Sequence, residues 1–489
     1  MHARFDLWEN NREHTDKMKY FLKALVGCFL ITGLLAACSA EPESSPQVTP
    51  DATETEPETE PDPELQPATI TNPDDDASFL FESESVRTFE LVVTPEDLAF
   101  IDNDPVAEIY VPATLKFEGE EYPDVGLRYK GSAGSYIGCT ETMGFPPSGP
   151  KTCIKLSMKV KLNYTDSDQK FHGLKKLQFH SMNSDDSLMR ERLSYYLFRS
   201  MGIPAPRTTP IKVLVNGELA GLFLLVEQID GRFTRSRFGD GGKGNLYKEI
   251  WPIHQDDASY INALETNEDE NPSVEKMQRL RAELENPNKA DRAAVSDAWI
   301  DRSYMASYLA VDRTIRNDDG IMHWYCNVDL GQGGNTGECG NHNYYWYEEE
   351  ENDRMWLIPW DTDLTFKQGG MVALPIAWDE EPDDCGPVSF GPFGYLPSAC
   401  DPLISAWATF QEDYKAAVGT LLEGPYTAGN VATLLDTWQA QIADSVEEAS
   451  LQNGQHLNSN NWLGALDELK TMSYRLRSEA EELVQSPNP

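Results

Sequence analysis

A chain of 489 residues is long enough for two or three domains, and 40% hydrophobic with 25% charged residues is a globular composition. Its 81 acidic against 40 basic residues give a formal charge of -41. That excess argues against binding nucleic acid through its phosphates and against an electrostatic hold on anionic lipid.

Residues Met1 to Asp16 read as an upstream extension. Met18-Lys19-Tyr20 then opens an export signal: a basic start, the apolar run Ala24 to Ala37, and small residues before Cys38. Leu35-Ala36-Ala37-Cys38 resembles the bacterial lipobox, which makes residues 1–38 the upstream extension and lipoprotein signal peptide, cleaved so that Cys38 becomes the lipidated first residue. Ser39 points to the outer membrane or cell surface. From Ala40 to Asp76 the chain is Pro, Glu, Thr, Ser and Asp with almost nothing apolar, so an extended acidic tether is expected over residues 39–79. Export places the remaining cysteines in an oxidising compartment. Their closeness in sequence pairs Cys139 with Cys153, Cys326 with Cys339, and Cys385 with Cys400, out of fifteen arithmetical possibilities.

The folded part opens with strand-like alternation from Val86 to Val93, then a helix capped by Thr94. Strands are expected over Ile109–Phe117 and Tyr122–Tyr129, followed by the small-residue turn Lys130 to Ser135. The stretch Cys153–Leu162 alternates, with Lys155, Lys159 and Lys161 on one face and Ile154, Met158, Val160 and Leu162 on the other. A short strand is read at Lys176–Phe179 and a helix over Leu188–Met201. Ile211–Val215 and Leu219–Glu227 flank Asn216-Gly217, the signature of a type I′ hairpin. Another strand falls at Gly244–Lys248, and helical periodicity takes over at Val274–Glu285 and Asp297–Arg316. Strands return at Asn343–Tyr347 and Met355–Pro359, and the tail from Ala406 to Val484 is helical. The architecture is thus a mixed sheet with one important helix, followed by a more helical half.

Between Val311 and Phe366 lie three polar clusters beside apolar sequence: Asn317-Asp318-Asp319-Gly320, His342-Asn343, and Trp360-Asp361-Thr362-Asp363. Carboxylates and amides next to buried strands are costly unless something pairs with them, which points to a metal or a phosphate. Phosphoryl transfer needs a lysine for the phosphates, oxygens for magnesium and a carboxylate for the attacking hydroxyl.

These clusters belong to a longer series. Arg128-Tyr129-Lys130-Gly131-Ser132, Lys155 to Val160, Leu188-Met189-Arg190-Glu191, Val215 to Glu218, Val226 to Asp230, Leu246-Tyr247-Lys248, Asn317 to Gly320, His342 to Tyr345, and Ile358 to Asp363 occur in this order. In that order they resemble the CotH family of atypical secreted protein kinases. The resemblance implies an α+β, bilobal, protein-kinase-like fold, with a β-rich N-lobe over residues 80–230 and a mostly helical C-lobe over 231–489. ATP would lie between the lobes. By position, Lys155 would pair the phosphates, with Lys159 in its place if the register slips, and Glu191 would be the lysine's partner. Lys130, Gly131 and Ser132 would cover the phosphates, and Glu227 would lie near the adenine. Lys248 would make a second phosphate contact or an interlobe salt bridge. Asp319, or Asp318, would orient the substrate hydroxyl, and Asn343 and Asp361, supported by Asp363, would hold Mg2+ or Mn2+. The substrate would be a protein hydroxyl, the membrane contact a lipid at Cys38, and the chain a monomer with no nucleic-acid partner.

One departure stands inside the series: Ile321 to Asn341 separates the Asp319 cluster from His342-Asn343, which in the family come close together. It brings base-to-metal spacing into question. His323, Cys326, Cys339 and His342 also have zinc-site spacing, although an oxidising compartment favours the disulfide. Two readings compete with a kinase: a non-catalytic surface scaffold and a carbohydrate-binding lipoprotein. Neither Gly-x-Ser-x-Gly nor His-Glu-x-x-His is present.

Overall fold

The structure, a computed structural model, describes residues 77–486 apart from 143–146, 255, 269–271, 286–287, 330–333, 351, 368–377, 381, 391–392 and 454–458. The leader, Cys38 and nearly all of the expected tether lie outside the described residues. Ala77 and Leu80 are buried, so packed structure begins before residue 80. No helix among the described residues is long and apolar enough to cross a membrane.

The N-terminal part is β-sheet. Strands β1 (Arg87–Val92), β2 (Val111–Phe117), β3 (Glu120–Tyr129), β4 (Met158–Lys161), β5 (Lys176–His180), β6 (Thr208–Val215) and β7 (Glu218–Val226) form a closed barrel in the order β1-β2-β3-β4-β5-β7-β6. Closure is made by parallel pairing of β1 with β6. Alternation supplies the reason: Phe89, Leu91, Leu115, Phe117, Leu127, Val160, Leu177, Phe179, Val213 and Phe223 all point into one core. Asn216 and Gly217 both take positive φ, as the type I′ hairpin requires, and Asn216 Oδ1 also accepts from the N–H of Val93. Thr94 caps helix α1 (Pro95–Asn103) through the Asp97 N–H.

Helix α2 (Arg190–Ser200) is wedged between halves: its Leu193, Tyr195, Leu197 and Phe198 join the second core, not the barrel's. That core is mostly helical, built on α3 (Gly231–Arg237), α4 (Glu275–Leu284), α5 (Lys289–Trp299), α6 (Arg302–Thr314), α7 (Pro402–Trp407), α8 (Gln411–Glu423), α9 (Ala428–Asn453) and α10 (Ser459–Gln485). The helix expected from Asp297 to Arg316 is in fact broken, because Asp301 leaves helical geometry and caps α6 by accepting from the Tyr304 N–H.

Two small sheets complete this half. β8 (Asn245–Lys248), β11 (Tyr344–Glu348) and β12 (Met355–Pro359) pair in the order β12-β11-β8. The other runs β10-β9-β14-β13, from β9 (Trp324–Asp329), β10 (Gly334–Gly340), β13 (Val388–Phe390) and β14 (Phe393–Leu396). The insertion after Asp319 is therefore a paired hairpin rather than a loose loop. All three disulfides form as proximity suggested: Cys139–Cys153, Cys326–Cys339 and Cys385–Cys400.

Candidate active site

Where barrel and second core meet, the barrel presents a cationic strand face. Arg128, Lys159 and Gln178 are in register across β3, β4 and β5, as are Lys161 and Lys176. Their neighbours Leu127, Tyr129, Met158, Val160, Leu177 and Phe179 fill the barrel, so this set must face outward. Lys130 and His180 continue the row one step further. Burial pushes the Lys159 ammonium well below its ordinary range, and Lys176, Arg128 and Lys248 push the same way, against Glu265. Among the described residues Lys159 makes no ion pair.

At the end of that row a histidine joins the two halves. Lys130 Nζ lies 2.7 Å from His180 Nε2, and His180 Nδ1 lies 2.9 Å from Glu191 Oε2. The partners set the tautomer: Nδ1–H donates to the carboxylate and Nε2 accepts from the ammonium. Trp360 meets the His180 ring edge-on at 5.5 Å and lies under Lys130 at 5.3 Å. Burial brings Lys130 down to about 8, against the pull of Asp361 and Glu191.

Opposite stand the carboxylates. Asp361 follows β12 with φ 50, and its N–H donates to the Tyr195 hydroxyl at 2.9 Å, tying it to α2. Ligand atoms of His180, Glu191 and Asp361 all lie within 4.8 Å of one another, and with both His180 nitrogens engaged by Lys130 and Glu191 the oxygens left for a cation are those of the carboxylates. Burial, then Glu191, raises the Asp361 carboxyl above its usual range. Asp363 is raised further, by burial and by Asp361, Glu191 and Asp319. Four carboxylates thus repel one another in a desolvated place, and a divalent cation is the group whose charge would relieve them.

Asp319 differs from the rest. Burial raises it, but His342, at 3.0 Å from Oδ1, and the Tyr325 hydroxyl hold it below the usual range. Asn343, at φ 66, donates through Nδ2 to both the carbonyl and Oδ2 of Asp319, at 2.7 and 3.0 Å, leaving its own Oδ1 for another donor or a cation. Asp318 turns the other way, 3.7 Å from Arg313, so Asp319 is the one that joins the cluster.

Several expectations need correction. The ion pair of Lys155 with Glu191 is not formed: Lys155 donates to the Leu222 carbonyl at 2.8 Å and lies over Phe223 at 5.2 Å, with burial lowering it to about 7. The physical reason is that pairing of β4 begins only at Met158, while the Cys139–Cys153 disulfide and an Asn183 amide on the Lys155 carbonyl hold the preceding segment apart. Glu227 is engaged by Arg207 and Arg237, which overcome burial and bring it down to about 2, so its carboxylate is not open to an adenine. Gly131, whose Cβ would meet Ser135 Cβ at 2.6 Å, gives its N–H to Glu108, and Ser132 is exposed. Lys248 ends β8 beside Glu249, which with Glu265 and Asp361 raises it against burial. Zinc is displaced by the Cys326–Cys339 bond, and the imidazoles of His323 and His342 lie on either side of the Tyr325 ring.

Two residues of the site went unread in the sequence: His180 and Tyr325. The only signal for the first was its parity with Gln178 at the end of a strand.

The family model described as CotH kinase protein matches residues 127–478, which includes the cationic strands, α2 and all three polar clusters. The chain is also similar to the inner spore coat protein H of Bacillus subtilis (strain 168), at 24% identity over 290 residues, covering 57% of this chain and 68% of that protein. With a match across most of its folded length, the chain belongs to the CotH kinase family.

Proposed function

We propose that the chain is a kinase that moves the γ-phosphoryl of ATP to a Ser or Thr hydroxyl of an exported protein. The barrel and the second core are then two lobes, with the nucleotide at their seam. One observation carries the reading: Glu191, Asp319, Asp361 and Asp363 converge near Lys130, Lys159 and Lys248, of which Lys159 has no ion-pair partner among the described residues. An anion with a divalent metal satisfies both sides at once, which neither a scaffold nor a sugar-binding surface needs.

In this reading Lys130 takes the role expected of Lys155, because it lies beside Asp361 and reaches Glu191 through His180. Lys159 and Lys248 extend the phosphate-binding row. Asp361, Asp363 and the Asn343 Oδ1 would hold Mg2+ or Mn2+, which supplies charge neutralisation at the phosphates. Asp319, kept ionised by its donors, accepts the hydroxyl proton as the new O–P bond forms and ADP leaves. Lipidation at Cys38 would hold the enzyme at the cell envelope.

The test is transfer from γ-labelled ATP to dephosphorylated casein in Mg2+ or Mn2+. Wild type should label the acceptor and Asp361→Ala should not; equal background from both would sink the kinase reading.

A further inference from the structure

The disulfide-closed hairpin of β9 and β10 reaches the proposed base. Tyr325 sits on β9 between two paired neighbours, opposite Gly340 of β10 and Tyr395 of β14. The next residue, Cys326, is bonded to Cys339 across the same hairpin. Pairing on both sides and a covalent bridge leave this strand little freedom to slide. Its ring is stacked at 4.0 Å and 19° on His323 and at 4.9 Å and 25° on His342. From this slot the hydroxyl donates to Asp319 Oδ1, the same oxygen that His342 Nε2 approaches. Asn343 holds Oδ2. With donors on both oxygens the carboxylate cannot rotate, and Oδ2 keeps the acceptor capacity a substrate hydroxyl would need.

We propose that Tyr325 is a positioning residue for phosphoryl transfer, and that the disulfide-closed hairpin exists to deliver its hydroxyl to Asp319. This rests on the kinase reading and adds to it a part supplied by the β9–β10 hairpin. Tyr325 touches no reacting atom; it acts through the carboxylate it fixes. The hairpin thus answers the spacing problem it creates, by clamping the base from the far side.

Three variants test this, read as kcat and KM for Mg·ATP with dephosphorylated casein as acceptor. Tyr325→Phe keeps the stacked ring and removes the hydroxyl; a hydrogen bond to a charged group sets the expected loss in kcat at about tenfold. KM for ATP should stay within about twofold, since no phosphate contact is lost. Cys326→Ser with Cys339→Ser should lower kcat in the same direction, by loosening the strand that carries the ring. A Tyr325→Phe enzyme at wild-type kcat, with only Tyr325→Leu impaired, would show that the ring packs and the hydroxyl does nothing, overturning the proposal. A raised kcat in Tyr325→Phe would also overturn it, because the hydroxyl would then be blocking the substrate's seat. Absence of transfer by wild type removes this inference together with the kinase reading; an active wild type with an unaffected Tyr325→Phe removes this inference alone.

Discussion

Two carboxylate sites, buried Glu227 and the partly buried cluster around Asp361, have opposite electrostatics. Glu227 takes charge-assisted bonds from Arg207 and Arg237, with Arg232 at 3.8 Å, and its carboxyl falls to about 2. Asp361 and Asp363 receive no such matching, and theirs rise. Burial penalises the charge at both, at buried Glu227 and at half-buried Asp361, and the directions differ because one site is complete within the protein and the other is not. A satisfied buried charge is architecture, whereas a set of buried like charges marks where something from solution belongs.

Substitutions sharpen this contrast. Asp361→Asn should reduce phosphate transfer by about 1000-fold, since it removes charge where a cation must sit, while leaving the melting temperature unchanged or raised. A variant that keeps full activity would move the metal elsewhere. Glu227→Gln should do the reverse, costing about 3 kcal/mol of stability by leaving guanidiniums without a counterion, measured by denaturant unfolding. The pH dependence follows the same sign: a carboxyl lowered on folding contributes stability above its unfolded value that is lost as pH falls. The Glu227 contribution, about 3 kcal/mol, should therefore be complete above about pH 4.5 and gone near pH 2. An acid titration in which wild type and Glu227→Gln lose stability in parallel would contradict it. Slightly smaller, Mg2+ with a non-hydrolysable ATP analogue at about 100 times its dissociation constant should stabilise wild type by about 2.7 kcal/mol and leave Asp361→Ala unmoved.

What could be read in advance divides along physical lines. Barrel strands and the Asn216-Gly217 hairpin were legible because they depend on alternation and local turn chemistry. The disulfides were legible by proximity. Asp319, Asn343, Asp361 and Asp363 could be singled out because they are polar runs beside apolar sequence, Asn343 just before β11 and Asp361 and Asp363 just after β12. The Lys155–Glu191 ion pair is missing at a place where parity survives but pairing does not: Lys155 shares the phase of Lys159 yet precedes the first paired residue of β4. His180 was invisible because its partners are 50 and 11 residues away, on different elements. Asp301 broke a helix whose apolar rhythm runs unbroken through it. Tyr325 lay in the insertion, where a stapled loop was expected and a strand aimed at the base was found.

The central claim is that the phosphate-pairing lysine is Lys130, coupled to Glu191 through His180, and that Lys155 belongs to the barrel. Titration of Mg·ATP into Lys130→Met and Lys155→Met, with folding checked by melting, tests it most directly. The account predicts that Lys130→Met weakens binding by about 10- to 100-fold, as expected for a lost charge-assisted contact, while Lys155→Met binds as wild type does. Loss of binding in Lys155→Met with full affinity in Lys130→Met would contradict it.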